Sequence, residues 1–219
     1  MNIYENGNNW VIEDQLNSSL VDEIKYCVND NINSLHKFKE GYSTRGKNSE
    51  QYWIIRGDKK FLSNSLNFEQ LKLKYTNEVF NKLEKSNLIS QFFFLINLNC
   101  WTVIGEEGSY HAAHNHNLGR FDGISTVLYL QVPETNLSEE CENNLFLVAD
   151  SSPKNLIYSS SIPSTIEINP EVGKLLIFPS WIVHGTYPQT KGVRQTFNLD
   201  YIIESKKNKT TFSKNFNYF

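Results

Sequence analysis

The stretch Ser125-Thr126-Val127-Leu128-Tyr129-Leu130-Gln131-Val132 decides the fold class. Its side chains alternate: Val127, Tyr129 and Gln131 fall on one face, and Leu128, Leu130 and Val132 on the other. Working outward, the same period of two returns in Thr196 to Tyr201, where Thr196, Asn198 and Asp200 oppose Phe197, Leu199 and Tyr201. Leu175 to Phe178 reads as a short, wholly apolar strand. Gly105, Gly108, Gly119, Pro133, Pro153, Pro163, Gly173, Pro188 and Gly192 punctuate these runs as turns. Many short strands with regular turn signals predict a sandwich or a barrel.

Before Gln91 the period is that of a helix. Leu16, Leu20, Ile24, Val28, Ile32 and Leu35 recur every three or four residues, with Asp14 as the expected N-cap. Phe68, Leu71, Tyr75, Val79 (or Phe80) and Leu83 form a second apolar face, capped by Asn67. Between them, Tyr42 to Lys60 is charged, with a short strand expected at Tyr52 to Arg56. Helices first and strands after predict helices packed outside one sheet. The fold class is therefore mainly β (α+β), with N-terminal helices supporting a β barrel. The expected organisation is a single domain over 1–219: a helix-rich support at 1–89, a β core at 90–204 and a tail at 205–219.

With 219 residues the chain suits one core. A net charge of −3 gives no long-range attraction to nucleic acid or to an anionic membrane. No apolar run approaches the roughly 20 residues of a membrane span, and residues 1–10 lack a signal-peptide core. Three sparse cysteines without ligand spacing fit a reducing compartment, so the expected location is cytoplasmic.

Three of the five histidines, His111, His114 and His116, fall within six residues. On a strand His114 and His116 point the same way, with Asn115 opposed, so two imidazoles can take adjacent positions around one metal. His184, after an apolar strand and before Gly185, is the candidate third ligand. A lone His-x-His pair is a weak signal, and His36, at a helix end beside Lys37, is given no role. Arg194 opens the last strand. Aimed inward it needs a carboxylate partner, and a bound dicarboxylate meets that need. The alternative is a surface arginine in an ion pair, and the strand pattern by itself leaves the two even.

Trp101, Gly108, His114-Asn115-His116, Ser125 to Leu130, Gly173, Phe178-Pro179-Ser180-Trp181, His184, Pro188, Arg194 and Phe197-Asn198 fall in order. From Trp101 to Ile203 the chain resembles a 2-oxoglutarate/iron(II) oxygenase family of bacteria and phages, related to the prolyl hydroxylases. The resemblance implies a double-stranded β-helix, the jelly-roll or cupin-like barrel. It implies His114, His116 and His184 as ligands of Fe(II), and Arg194 with Tyr129 on the distal carboxylate of 2-oxoglutarate. Asn198 and His111 would line the same pocket. The implied activity is that of an Fe(II)- and 2-oxoglutarate-dependent dioxygenase. It would use O2 to hydroxylate a small-molecule or peptide substrate, with loops at Tyr42 to Lys60 and Thr135 to Asn143 as lids. Oxygenases on this fold often pair through their N-terminal elements, which makes a homodimer the expected assembly.

Most of the wider superfamily has His-x-Asp or His-x-Glu where His116 stands here. Asp122, Glu106 and Glu107 are the carboxylates that could complete the shell instead. The spacing of Gly108, His114, His116, Gly173, Pro179 and His184 also resembles the cupins, although their glutamate is missing. A three-histidine cupin-type metalloenzyme without 2-oxoglutarate is therefore the rival. A metal-containing binding protein is the non-enzymatic one.

Overall fold

The computed structural model describes residues 1–6, 9–38, 44–45, 49–62, 66–116, 123–133, 145–148, 165–189 and 192–206. Before the midpoint of the chain these form β1 (Asn2–Asn6), β2 (Asn9–Gln15), α1 (Ser18–Asp30), β3 (His36–Phe38), β4 (Thr44–Arg45), β5 (Ser49–Arg56), β6 (Lys59–Lys60) and α2 (Leu66–Lys85). After it come β7 (Phe93–Gly105), β8 (Tyr110–His111), β9 (Gly123–Gln131), β10 (Leu145–Val148), β11 (Thr165–Ile168), β12 (Lys174–Pro179), β13 (Val183–Thr186) and β14 (Arg194–Ser205).

The strand that holds Tyr129 lies mid-sheet. The order β1-β2-β12-β9-β14-β7-β5-β3, with β6 beside β5, makes a nine-stranded sheet. A second sheet has the order β11-β10-β13, and β4 pairs with β8. The arrangement is a double-stranded β-helix, mostly antiparallel with few helices.

Alternation along the central strands builds two cores from one sheet. Leu128 and Leu130, Leu175 and Ile177, and Phe197, Leu199 and Tyr201 face the helices. There they meet Leu20, Ile24 and Val28 of α1 and Phe68, Leu71, Tyr75, Val79 and Leu83 of α2. Tyr75 is fully buried, donates to Thr126 Oγ1 at 3.0 Å and meets Phe197 edge-on at 5.5 Å. The opposite face carries Val127, Tyr129, Leu176 and Phe178, packed with Ile168 and Ile182. Val132 departs from the expected alternation and packs with this inner set, because β9 ends at Gln131 beside a register shift at Gln195/Thr196.

Leu128 has no exposed surface, so Leu128→Ala opens a cavity beneath both helices. The expected loss is about 2–5 kcal/mol, read from urea denaturation.

The N-terminal half corrects the sequence reading in four places, one being that Asn67 lies inside α2 and does not cap it. Asp14 does not cap α1: it lies in β2, whose pairing with β12 keeps the chain extended through Gln15, and it pairs with Lys82. Asn17 is the cap, accepting from Ser19 N–H at 2.8 Å. The first helix ends at Asp30, not near Leu35, in a run of asparagines that favour turns over helix. Leu35 still reaches the helix-side core by way of a 3-10 turn at Ile32–Ser34. His36 opens β3 and stacks on Phe61 at 4.9 Å, so it is no helix end. The helix-rich segment thus also supplies strands to the main sheet.

Among the described residues no helix is long and apolar enough to cross a membrane. The expected lid at Thr135 to Asn143, the residues of the tail beyond 206, and Asp122 lie outside the described residues.

Candidate functional site

His114 and His116 do not sit on a regular strand, as the period-two reading expects. They follow β8 in an extended segment held by main-chain bonds to the turn at the end of β12 and to β13. His114 N–H donates to His184 C=O at 2.9 Å, and His184 N–H returns a bond to His114 C=O at 2.8 Å. His116 N–H donates to Ser180 C=O at 2.9 Å. The backbone thus clamps the two histidine-bearing segments together whatever the imidazoles do.

The imidazoles converge. One ring nitrogen from each of His114, His116 and His184 lies within 4.8 Å of the others. Ring centroids are 4.4 Å apart for His114 and His184, 4.9 Å for His116 and His184, and 5.3 Å for His114 and His116. Each ring has its Nδ1 occupied. His114 Nδ1 lies 2.8 Å from Ala112 C=O and His184 Nδ1 3.0 Å from Ile182 C=O. His116 Nδ1 lies 2.8 Å from Asp200 Oδ1 and 2.9 Å from Ser125 Oγ. Carbonyl and carboxylate oxygens only accept, so these contacts hold the proton on Nδ1 and leave each Nε2 lone pair for a metal.

Burial, then the neighbouring His116, pulls the pKa of His114 down from 6.5 to about 4. Burial followed by the other imidazoles lowers His184 well below its ordinary value. His111 is lowered in the same way, by burial and then by His114 and Arg194. Neutral imidazoles are what a metal ion requires. The same shifts set a pH dependence. The unfolded chain takes up protons near pH 6.5 that the folded chain refuses, so stability falls with falling pH across that window. For His114 the loss runs from pH 6.5 to about 4 and amounts to about 3 kcal/mol. Urea midpoints of metal-free protein at about pH 7 and about pH 4.5 measure it, with the lower midpoint expected at the lower pH.

A cavity of about 300 Å³ opens on the three rings. Its wall includes every residue that the sequence assigned to the site: His111, His114, His116, Tyr129, His184, Arg194 and Asn198. Arg194 is only 6% exposed, and its Nη2 donates to Thr186 Oγ1 at 2.9 Å. Burial lowers its pKa from the ordinary value, and Tyr129 nearby opposes that shift. The Tyr129 hydroxyl is fully buried, has no hydrogen-bond partner among the described residues, and is pushed up to about 12 by burial. A buried hydroxyl left unpaired is costly, so this one is placed for a ligand that accepts its proton. Asn198 donates to Thr196 Oγ1 at 3.1 Å. Glu106 and Glu107 are exposed in the turn before β8 and do not line the cavity.

The chemistry present fits the group that the resemblance implies. Three neutral nitrogen donors suit a divalent transition metal, and a buried guanidinium with a free phenol suits an anionic oxygen ligand. Sequence reasoning missed the opposite wall, where Trp101 stands 5.2 Å from His116 and Trp53 stands 5.4 Å from Trp101. Arg56 is exposed and stacks over Phe38 and Trp53 at 5.6 and 5.5 Å. It also missed Asp200, although that residue shares a face with Thr196 and Asn198; an inward carboxylate there was the available signal.

Residues 99–200 match the family described as "Putative 2OG-Fe(II) oxygenase". No curated protein sequence matches the chain. Among solved structures the chain is similar to a Pseudomonas putida prolyl-4-hydroxylase, at 13% identity and a TM-score of 0.58, covering 88% of this chain and 91% of that one. It is similar to a prolyl hydroxylase from Trichoplax adhaerens solved with a hypoxia inducible factor peptide fragment, at 19% identity and 0.55, covering 93% and 86%. It is also similar to HygX from Streptomyces hygroscopicus with nickel and 2-oxoglutarate bound, at 13% and 0.59, covering 88% and 82%. At such identities the likeness is one of fold. The family match takes in every histidine and arginine of the cavity wall except Arg56, and over residues 99–200 the chain is similar to the 2OG-Fe(II) oxygenases.

Proposed function

We propose that this chain hydroxylates a peptide or small-molecule substrate, with His114, His116 and His184 holding iron(II) and Arg194 and Tyr129 holding 2-oxoglutarate. One observation carries the reading: a single cavity joins three imidazoles with free Nε2 positions to a buried arginine and an unpartnered buried hydroxyl. A cupin-type enzyme that uses no 2-oxoglutarate has no use for that inner, anion-seeking end.

Iron(II) supplies the activation of dioxygen that is coupled to decarboxylation of 2-oxoglutarate to succinate. The chain's own groups do the rest. The three imidazoles, fixed by their Nδ1 bonds, present a preorganised donor set. Arg194 neutralises the far carboxylate of 2-oxoglutarate with a forked donor, and the Tyr129 hydroxyl donates to the same group. His111 and Asn198 line that end. The apolar inner set of Val127, Leu176, Phe178 and Ile182 keeps water from the back of the site. The substrate lies along the outer wall of Phe38, Trp53 and Trp101, with Arg56 at its rim. The reading includes a cytoplasmic location, in keeping with the sparse cysteines, and no nucleic-acid partner, in keeping with the net charge of −3.

The test is a titration of 2-oxoglutarate into protein loaded with iron(II) without oxygen, followed by admission of oxygen and assay of labelled succinate. Saturable binding and succinate release are expected. Metal-loaded protein that binds no 2-oxoglutarate would rule the reading out and favour the rival, the three-histidine cupin.

A further inference from the structure

Three neutral imidazoles leave a divalent metal's charge uncompensated, unlike a set that includes a carboxylate. A carboxylate does stand behind one of them. Asp200 on β14 is 3% exposed, and its Oδ1 lies 2.8 Å from His116 Nδ1. Ser125 Oγ donates to the same oxygen at 2.8 Å, and Asn99 Nδ2 donates to Oδ2 at 3.1 Å. These partners come from the strands on either side: Asp200 is directly opposite Ser125 on β9 and Asn99 on β7. Among the described residues the one basic side chain within 4.0 Å of the Asp200 carboxylate is His116. His114 and His184 instead rest on backbone carbonyls. A carboxylate this buried is expensive unless paired, and the arrangement spends its charge on one imidazole.

We propose that Asp200 is a positioning residue for the metal. Acting through His116, it supplies the negative charge that the His-x-His pair lacks, and so sets the affinity of the site for a divalent cation. The carboxylate accepts the Nδ1 proton, locks the tautomer and ring angle of His116, and strengthens Nε2 as a donor. Ser125 and Asn99 hold the carboxylate in line. The inference rests on the three imidazoles being the metal's ligands.

Cobalt(II) titrated into the metal-free full-length chain, followed by its visible absorption, tests it. Asp200→Asn keeps the shape and an oxygen acceptor but removes the charge. The expected result is affinity lower by about 10–100-fold, the usual effect of losing such an outer partner, in protein folded by circular dichroism. Asp200→Asn combined with His116→Asp restores a carboxylate at the metal directly, and should bind cobalt at least about tenfold more tightly than Asp200→Asn alone. A residue that only packs would not be rescued in this way. A measurement on native protein covers the case in which the variants do not fold. In zinc-loaded chain with labelled histidine, the His116 Nδ1 proton, donated to a charged acceptor, should resonate furthest downfield of the three. Equal cobalt affinity of native and Asp200→Asn protein overturns this inference alone, as does a His116 proton upfield of the others. Native protein that binds no cobalt overturns the metal-site reading as well.

Discussion

Arg194→Ala weakens binding of 2-oxoglutarate to the metal-loaded protein by about 2–5 kcal/mol, roughly thirtyfold or more, while metal affinity stays as it was. The size follows from burial. The guanidinium is 6% exposed, so a carboxylate that loses it is left in a poorly solvated cavity without a cation to meet it at that end, where Tyr129 offers a neutral hydroxyl. Selectivity for the co-substrate follows from position. Arg194 is not among the converging donors and bonds to Thr186, whose hydroxyl also accepts from His111 N–H at 2.9 Å and keeps that partner in the variant. Arg194→Lys retains the charge but loses the fork, so it should recover part of the loss. Calorimetric titration under nitrogen measures all three proteins. An unchanged affinity in the alanine variant would place the far carboxylate somewhere else.

His184→Ala removes the metal while leaving the fold. A donor set reduced to His114 and His116 should lose more than the roughly hundredfold expected for an outer partner alone. Occupancy after dialysis against iron(II) under nitrogen should drop from one ion per chain to almost none, with coupled and uncoupled turnover lost together. The fold survives because the clamp between the two segments is made by main-chain atoms of His114 and His184, which an alanine keeps. Metal analysis alongside circular dichroism separates the two effects. Full occupancy in a folded His184→Ala protein would show that another group holds the ion. His111→Ala is the control: its ring is 5.6 Å from that of His114, but it is not part of the converging set, so metal should be retained.

Much of this could be read along the chain. Alternation at Val127 to Leu130 and at Thr196 to Tyr201 separated the two faces as the structure has them, because a strand's side chains follow backbone geometry that neighbours do not alter. The apolar faces of α1 and α2 were legible for the same reason, at a period of 3.6. The ends of elements were less so. Asp14 looks like a cap until β12 pairs with the segment that carries it, and pairing between residues some 160 positions apart leaves no local mark. The extended segment of His114 and His116 was misread as a strand, because its ladder amounts to a single bridge to His184.

The sequence by itself determined the class of sheet and the helices behind it, and it singled out His114, His116, His184 and Arg194 as candidates. Those depend on residue type and on spacing within one element. Tertiary structure alone decided that His114, His116 and His184 converge within 4.8 Å, that the Tyr129 hydroxyl has no partner among the described residues, and that Asp200 stands behind His116. Each of these is a relation between strands distant in the chain. Such a relation is fixed by sheet order and register, which the packing of the whole core selects.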